Sequence, residues 1–179
     1  IIDLPYMWVA NNTDATVSKI DTKSGKEVAR YNIASPCGFD PGPSRTAVDE
    51  NGAVWVACRS GNTVVKIASK MNHCIDKNNN GKIDTSFVMY DANGKKSVQM
   101  EHWKQDECVL YAGVPKVPAN ASEEVKKNPL PGCNILMRSI AVTAENTIVF
   151  GGHSGCRDGH VYEANYIYDS SAPYVESQN

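Results

Sequence analysis

Asp76, Asn78 and Asn80 fall at alternate positions, Gly81 follows, and Asp84 comes three residues later, all within "CIDKNNNGKIDTS" at 74–86. A loop with side-chain oxygens at its positions 1, 3 and 5, glycine at 6, a backbone carbonyl at 7 and another oxygen at 9 wraps a hard divalent cation. Alternation turns every second side chain toward the ion, and the glycine permits the sharp bend. On this reading Ca2+ is held by Asp76, Asn78, Asn80, the carbonyl of Lys82 and Asp84, with Ile83 as apolar anchor. Position 12 departs from the pattern, because Phe87 stands where a bidentate glutamate is expected. The loop must then borrow a carboxylate or accept more water. Asp91, Asp106 and Glu107 are the candidate lenders. With fewer charges, the expected dissociation constant is near the ~10⁻⁴–10⁻³ M of extracellular modules. The flanking segments do not resemble the two helices of a true hand, and the plainer alternative is a solvated Asn/Gly turn.

A second stretch, "GGHSGCRDGHVYEAN" at 151–165, holds His153, Arg157, Asp158, His160 and Glu163. These are the residue types of general-base or metal-assisted chemistry. They follow no recognisable catalytic arrangement, and a loop joining two strands collects polar residues for its own hydrogen bonding. His73 and His102 flank the calcium motif, but hard cations prefer oxygen, so both read as surface or packing residues. No nucleophile–base triad, phosphate loop or dinucleotide fingerprint is present. No catalytic residue is assigned, and the reading is non-enzymatic.

The elements that must position the loop come from a repeat. "WVANNTDATVSKI" at 8–20 matches "WVACRSGNTVVKI" at 55–67, an offset of 47 residues. Trp8/Trp55, Val9/Val56, Ala10/Ala57, Thr16/Thr63, Val17/Val64, Lys19/Lys66 and Ile20/Ile67 are identical. At twice that offset "IAVTAENTIVFGGHSG" at 140–155 follows "TAVDENGAVWVACRSG" at 46–61, and "HVYEA" at 160–164 stands where "TVVKI" stands. A period in the forties built of short strands marks a propeller blade of four antiparallel strands. "RTAVD" is a strand, "ENG" a tight turn, "AVWVAC" and "NTVVKI" the next two strands, and "EVARYNI" the fourth strand of the first unit. Trp8 and Trp55 are then blade core. The expected blades cover about 6–33, 44–114 and 138–168, with a calcium-loop insertion at 68–106. That insertion shows no core of its own. Only "ASEEVKKN" at 121–128 suggests a short surface helix.

These segments, "WVAN…TVSKID…GKEVARY", "PSRTAVDENGAVWVA", "DKNNNGKIDTS" and "DECVLY", are similar to secreted bacterial propellers of the streptogramin-lyase-like group, related in shape to NHL-type propellers. The resemblance covers residues 6–164. It implies an all-β propeller, secretion and a calcium-loop insertion between blades. It also implies an alternative function, a lyase working with histidines and a glutamate around magnesium. The spacing of those residues does not map onto this chain, so none is transferred.

Six cysteines, none in a CxxC pair, favour three disulfides and an oxidising compartment: extracellular, cell-surface or periplasmic. Cys74 and Cys108 bracket the insertion and are expected to pair. Strand topology suggests Cys37–Cys58 and Cys133–Cys156. A net charge of −2 gives no basic surface for nucleic acid, and no apolar run reaches the ~18–20 residues of a membrane span. The start "IIDLPYMWVANN" lacks the parts of a signal peptide and reads as a trimmed product.

Three units fall short of the roughly 4–8 blades that close a channel, and the first lacks the strand that should precede "YMWVAN". The expected partners are therefore other protein chains or a missing part of the same chain. The tail "YIYDSSAPYVES" is another possible source of that strand. A binding or structural module is the leading expectation. A subunit of an extracellular assembly or filament is a further alternative.

Overall fold

A computed structural model describes residues 5–34, 42–59, 63–113, 135–143, 147–154 and 166–169. The first sheet consists of β1 (Tyr6–Asn11), β2 (Thr16–Asp21) and β3 (Glu27–Asn32), antiparallel in that order. The β2–β3 turn is closed by Asp21, whose Oδ1 accepts the N–H groups of Lys23 and Ser24 at 2.9 and 2.8 Å. Gly25 completes the turn at φ +67°, a conformation open to glycine without strain.

The second sheet begins with β4 (Pro43–Val48), β5 (Val54–Cys58) and β6 (Val64–Ile67). A long excursion follows. It holds a single 3₁₀ turn at Met71–His73 and a separate hairpin, β7 (Phe87–Tyr90) with β8 (Lys96–Gln99). The chain then returns as β9 (Val109–Gly113) to pair with β6, giving the order β4-β5-β6-β9. The third sheet joins β10 (Ile135–Val142), β11 (Thr147–Ser154) and β12 (Tyr166–Asp169).

These sheets make an all-β, open β-propeller. The expected third strand of the last blade, "HVYEA", and the helix expected at 121–128 lie outside the described residues. The segment that pairs with β11 is Tyr166–Asp169. Of the tail, one of the alternative sources named for the first sheet's missing strand, the "YIYD" part pairs in the third sheet.

The core is laid between blades. Strand β5 is buried along its whole length, and its side chains alternate between two clusters. Val54, Val56 and Cys58 join Trp8, Val17 and Tyr31 of the first sheet and Ile33 just after it. Trp55 and Ala57 join Tyr111, Met137 and Ile148, reaching the third sheet. A strand with neighbours on both faces needs a continuous apolar run, and "VWVAC" supplies it.

The excursion has structure of its own. Hairpin β7–β8 turns on Asp91–Gly94, with Gly94 at φ +77°, and β7 packs against β3. Lys96 of β8 forms an ion pair with Glu27 of β3, and Lys26 Nζ lies 5.2 Å from the centre of the Tyr90 ring. The insertion of the second blade thus folds back over the outer edge of the first.

Candidate functional site

The loop at 76–84 is gathered by its own side chains. Asp76 Oδ2 accepts the Gly81 N–H at 2.8 Å, and Asp76 Oδ1 accepts the Asn80 N–H at 3.2 Å. Asn78 and Asn80 each accept a backbone N–H two residues on, from Asn80 at 2.9 Å and Lys82 at 2.8 Å. Their carboxamides converge on one atom: Asp84 Oδ2 accepts from Asn78 Nδ2 at 3.0 Å and Asn80 Nδ2 at 2.8 Å. Those two bonds hold the Asp84 carboxyl below the usual carboxylate range. Gly81 takes φ +79° and Asn79 takes φ 58°, the left-handed backbone that a tight wrap requires.

Two buried acids hold this loop to the blade. Glu107 is fully buried. Its Oε1 accepts the N–H groups of Lys77 at 2.8 Å and Asn78 at 3.3 Å, and its Oε2 accepts that of Asp84 at 2.8 Å. Asp106 accepts from the Thr85 hydroxyl at 2.7 Å, the Ser86 hydroxyl at 2.6 Å and the Cys108 N–H at 3.0 Å. Lys77 Nζ donates to the carbonyls of Asp106 at 2.6 Å and Val109 at 2.9 Å. Burial lowers the Lys77 pKa, and the charges of Asp106 and Glu107 partly oppose that shift. Cys74 and Cys108 form a disulfide with Cα atoms 4.4 Å apart, closing the base of the excursion. Cys58 is also disulfide-bonded. The expected Cys37–Cys58 and Cys133–Cys156 pairings fall outside the described residues.

The candidate lenders of a further carboxylate are therefore engaged elsewhere. Glu107 and Asp106 organise backbone, and Asp91 Oδ1 accepts the N–H groups of Asn93 and Lys95 in the β7–β8 turn at 2.9 and 2.8 Å. The donor set left for an ion comprises Asp76, Asn78, Asn80, Asp84 and the Lys82 carbonyl. Its oxygens are of the type a hard cation such as Ca2+ takes. In this structure those of Asp76, Asn78 and Asn80 accept N–H groups of the loop, the two Asn Nδ2 atoms face Asp84, and Asp76 is half-buried. Among the described residues no three His, Cys, Asp or Glu side chains gather as a metal cluster. The loop instead joins two carboxylates to two carboxamides.

Against this loop lies a cavity of about 840 Å³ between the first sheet and the insertion. Asn78, Ile83, Asp84 and Glu101 form part of one wall, and Tyr6 and Lys19 part of the other. Sequence reasoning missed both the cavity and the hairpin. "YDANGKK" carried the hairpin's signal, an Asn-Gly turn between strand-forming runs.

Other singled-out residues fall as follows. Trp8 and Trp55 are buried, with ring centres 6.0 Å from Tyr31 and 6.2 Å from Tyr111. Trp103 is buried in the insertion, within the first core cluster. His102 is exposed beside it, with ring centres 5.9 Å apart. His153 lies on β11, in register with Leu136. Arg157, Asp158, His160 and Glu163 lie outside the described residues. Among the described residues no helix is long and apolar enough to cross a membrane.

No family model and no curated protein matches the chain. Among solved structures it is similar to a virginiamycin B lyase from Staphylococcus aureus, at 13% identity and a TM-score of 0.40, over 89% of this chain and 37% of that one. It is also similar to a streptogramin B lyase, at 13% identity and a TM-score of 0.34, over 93% of this chain and 53% of that one. The chain thus spans 37% and 53% of the length of these two structures.

Proposed function

We propose that this chain is a calcium-stabilised, disulfide-bonded β-propeller module of an oxidising compartment, secreted, surface-held or periplasmic, that works by binding. The observation carrying this reading is the convergence of Asp76, Asn78, Asn80 and Asp84 around Gly81, on backbone clamped by buried Glu107. Bound there, calcium would neutralise the Asp76 and Asp84 carboxylates and stiffen one wall of the cavity. The Cys74–Cys108 bridge supports the compartment, since such bonds persist where thiols are not kept reduced.

The test is calcium titration of the full chain by calorimetry, with magnesium in a parallel run. The expected dissociation constant is ~10⁻⁴–10⁻³ M for calcium. Asp76→Ala and Asp84→Ala should each weaken it by about tenfold or more, since each removes a charged ligand. Chelation should expose 68–106 to protease while β4, β5 and β6 stay protected. No heat and an unchanged digestion pattern up to about 10 mM calcium would sink the reading.

A further inference from the structure

Two lysines hold the same place in successive blades and keep different company. Lys66 on β6 is in register with Trp55 of β5, its Nζ 5.0 Å from the Trp55 ring centre. It forms an ion pair of 3.1 Å with Asp49, whose side chain is 0% exposed. Asp49 directly follows β4, the strand on the far side of β5. Its Oδ1 accepts the N–H groups of Asn51 at 3.0 Å and Ala53 at 2.9 Å, closing the β4–β5 turn. One carboxylate both follows the edge strand β4 and neutralises the lysine two strands away.

Lys19, 47 residues earlier, is in register with Trp8 of β1. Its Nζ lies 4.0 Å from the centre of the Tyr6 ring and 5.6 Å from that of Trp8, and donates to the Ser69 carbonyl. Among the described residues no carboxylate forms an ion pair with it. Burial without a counter-charge lowers its pKa to about 8. β1 also ends its sheet: among the described residues nothing pairs with its other edge. The first sheet has counterparts of β5, β6 and β9. A counterpart of β4, and with it of Asp49, is missing among the described residues.

We infer that the edge of β1 left unpaired among the described residues is a docking edge for a partner β-strand that runs antiparallel to it and ends in an aspartate paired with Lys19. Two independent features point to the same occupant. An open edge offers a row of backbone donors and acceptors that only an extended chain satisfies. The half-buried amine beside that edge selects an acid at one position, which fixes the register of the added strand. A small carboxylate would neutralise Lys19 and leave the ladder empty. A strand ending in asparagine would fill the ladder and leave the amine without a counter-charge.

The test places "PSRTAVDENG", residues 43–52, directly before Tyr6 of the full chain in place of residues 1–5, beside an otherwise identical "PSRTAVNENG" version. Hydrogen exchange of β1 and the acetylation rate of Lys19, both read by peptide mass mapping, are compared with the unaltered chain. Both versions should slow β1 exchange by about tenfold or more. Only the aspartate version should also slow Lys19 acetylation, by about tenfold for each unit its pKa rises. In a Lys19→Met background the two versions should show the same urea midpoint. Added peptides PSRTAVDE and PSRTAVNE provide a second arm on the unaltered chain, with the same order of protection. Unchanged β1 exchange in a folded graft, or equal Lys19 rates with aspartate and asparagine, overturns the inference. If the grafts fail to fold, the peptide arm decides: no aspartate-dependent slowing up to the solubility limit overturns it.

Discussion

Glu107 shows how one residue can be decisive and still escape a reading by spacing. Its carboxylate is fully buried and holds three N–H groups from residues 23 to 30 positions earlier. The alternating Asp/Asn pattern was legible because a wrapped ion imposes a local period. Glu107 was visible only as a nearby acid, since nothing local says which backbone a distant carboxylate will meet. Glu107→Gln should cost about 1.5–3 kcal/mol in urea unfolding, the range for hydrogen bonds to a charged group. A midpoint unchanged within error would mean the clamp is not made in solution. Glu27 gives a test by pH. Burial alone would raise its carboxyl pKa, but hydrogen bonds from Arg30, Lys96 and Ser18 outweigh burial and bring it from 4.5 to about 2. A depressed carboxyl contributes stability above its unfolded pKa and loses it as pH falls through the folded value. Stability should therefore drop between about pH 4.5 and pH 2. After allowance for solvent around Lys96, the loss is on the order of 1–2 kcal/mol. Glu27→Gln should flatten the profile in that window, and an equally steep profile in the variant would assign the loss elsewhere.

At the scale of elements, the excursion between β6 and β9 joins two kinds of restraint. Its base is closed covalently by Cys74–Cys108, 34 residues apart, and its tip leans on β3 through hairpin β7–β8. The strands of the blades could be read from β-branched runs and the 47-residue repeat. The hairpin could not be read that way, because it has no copy in the other units and exposes most of its side chains. "FVMY" and "KSVQ" bury too little to show a clear alternation. Its place is set by tertiary contacts, the Lys96–Glu27 pair and the Lys26–Tyr90 approach. Cys74→Ser with Cys108→Ser should cost about 3–4 kcal/mol by the chain-entropy estimate for a loop of this length. The loss should appear as faster proteolysis between 75 and 107 before any cut in β4, β5 or β6. A first cut inside the central sheet would show that the bridge supports the whole fold and does not act locally.

For the whole molecule, what matters is that each blade's core is made by its neighbour. The repeat predicted the blades, and the alternation within β5 accounts for their stacking: odd and even side chains of one strand serve two different interfaces. The strand that pairs with β11 is Tyr166–Asp169, and the expected "HVYEA" strand lies outside the described residues. Such stacking makes the middle sheet the most protected and leaves the flanks dependent on whatever covers them. Ile67, fully buried between the first two sheets, should cost about 2–5 kcal/mol as Ile67→Ala, because its neighbours are fixed on both sides and cannot collapse into the gap. Val98 on β8, 36% exposed, should cost about 0.5 kcal/mol or less as Val98→Ala. Hydrogen exchange should follow the same order, slowest in Val54–Cys58 and Val64–Ile67, faster in β1, fastest in β7–β8. Comparable protection of β1 and β5 in the isolated chain would mean that the β1 edge is already covered in solution, and that the sheets form a more closed assembly than their described pairing.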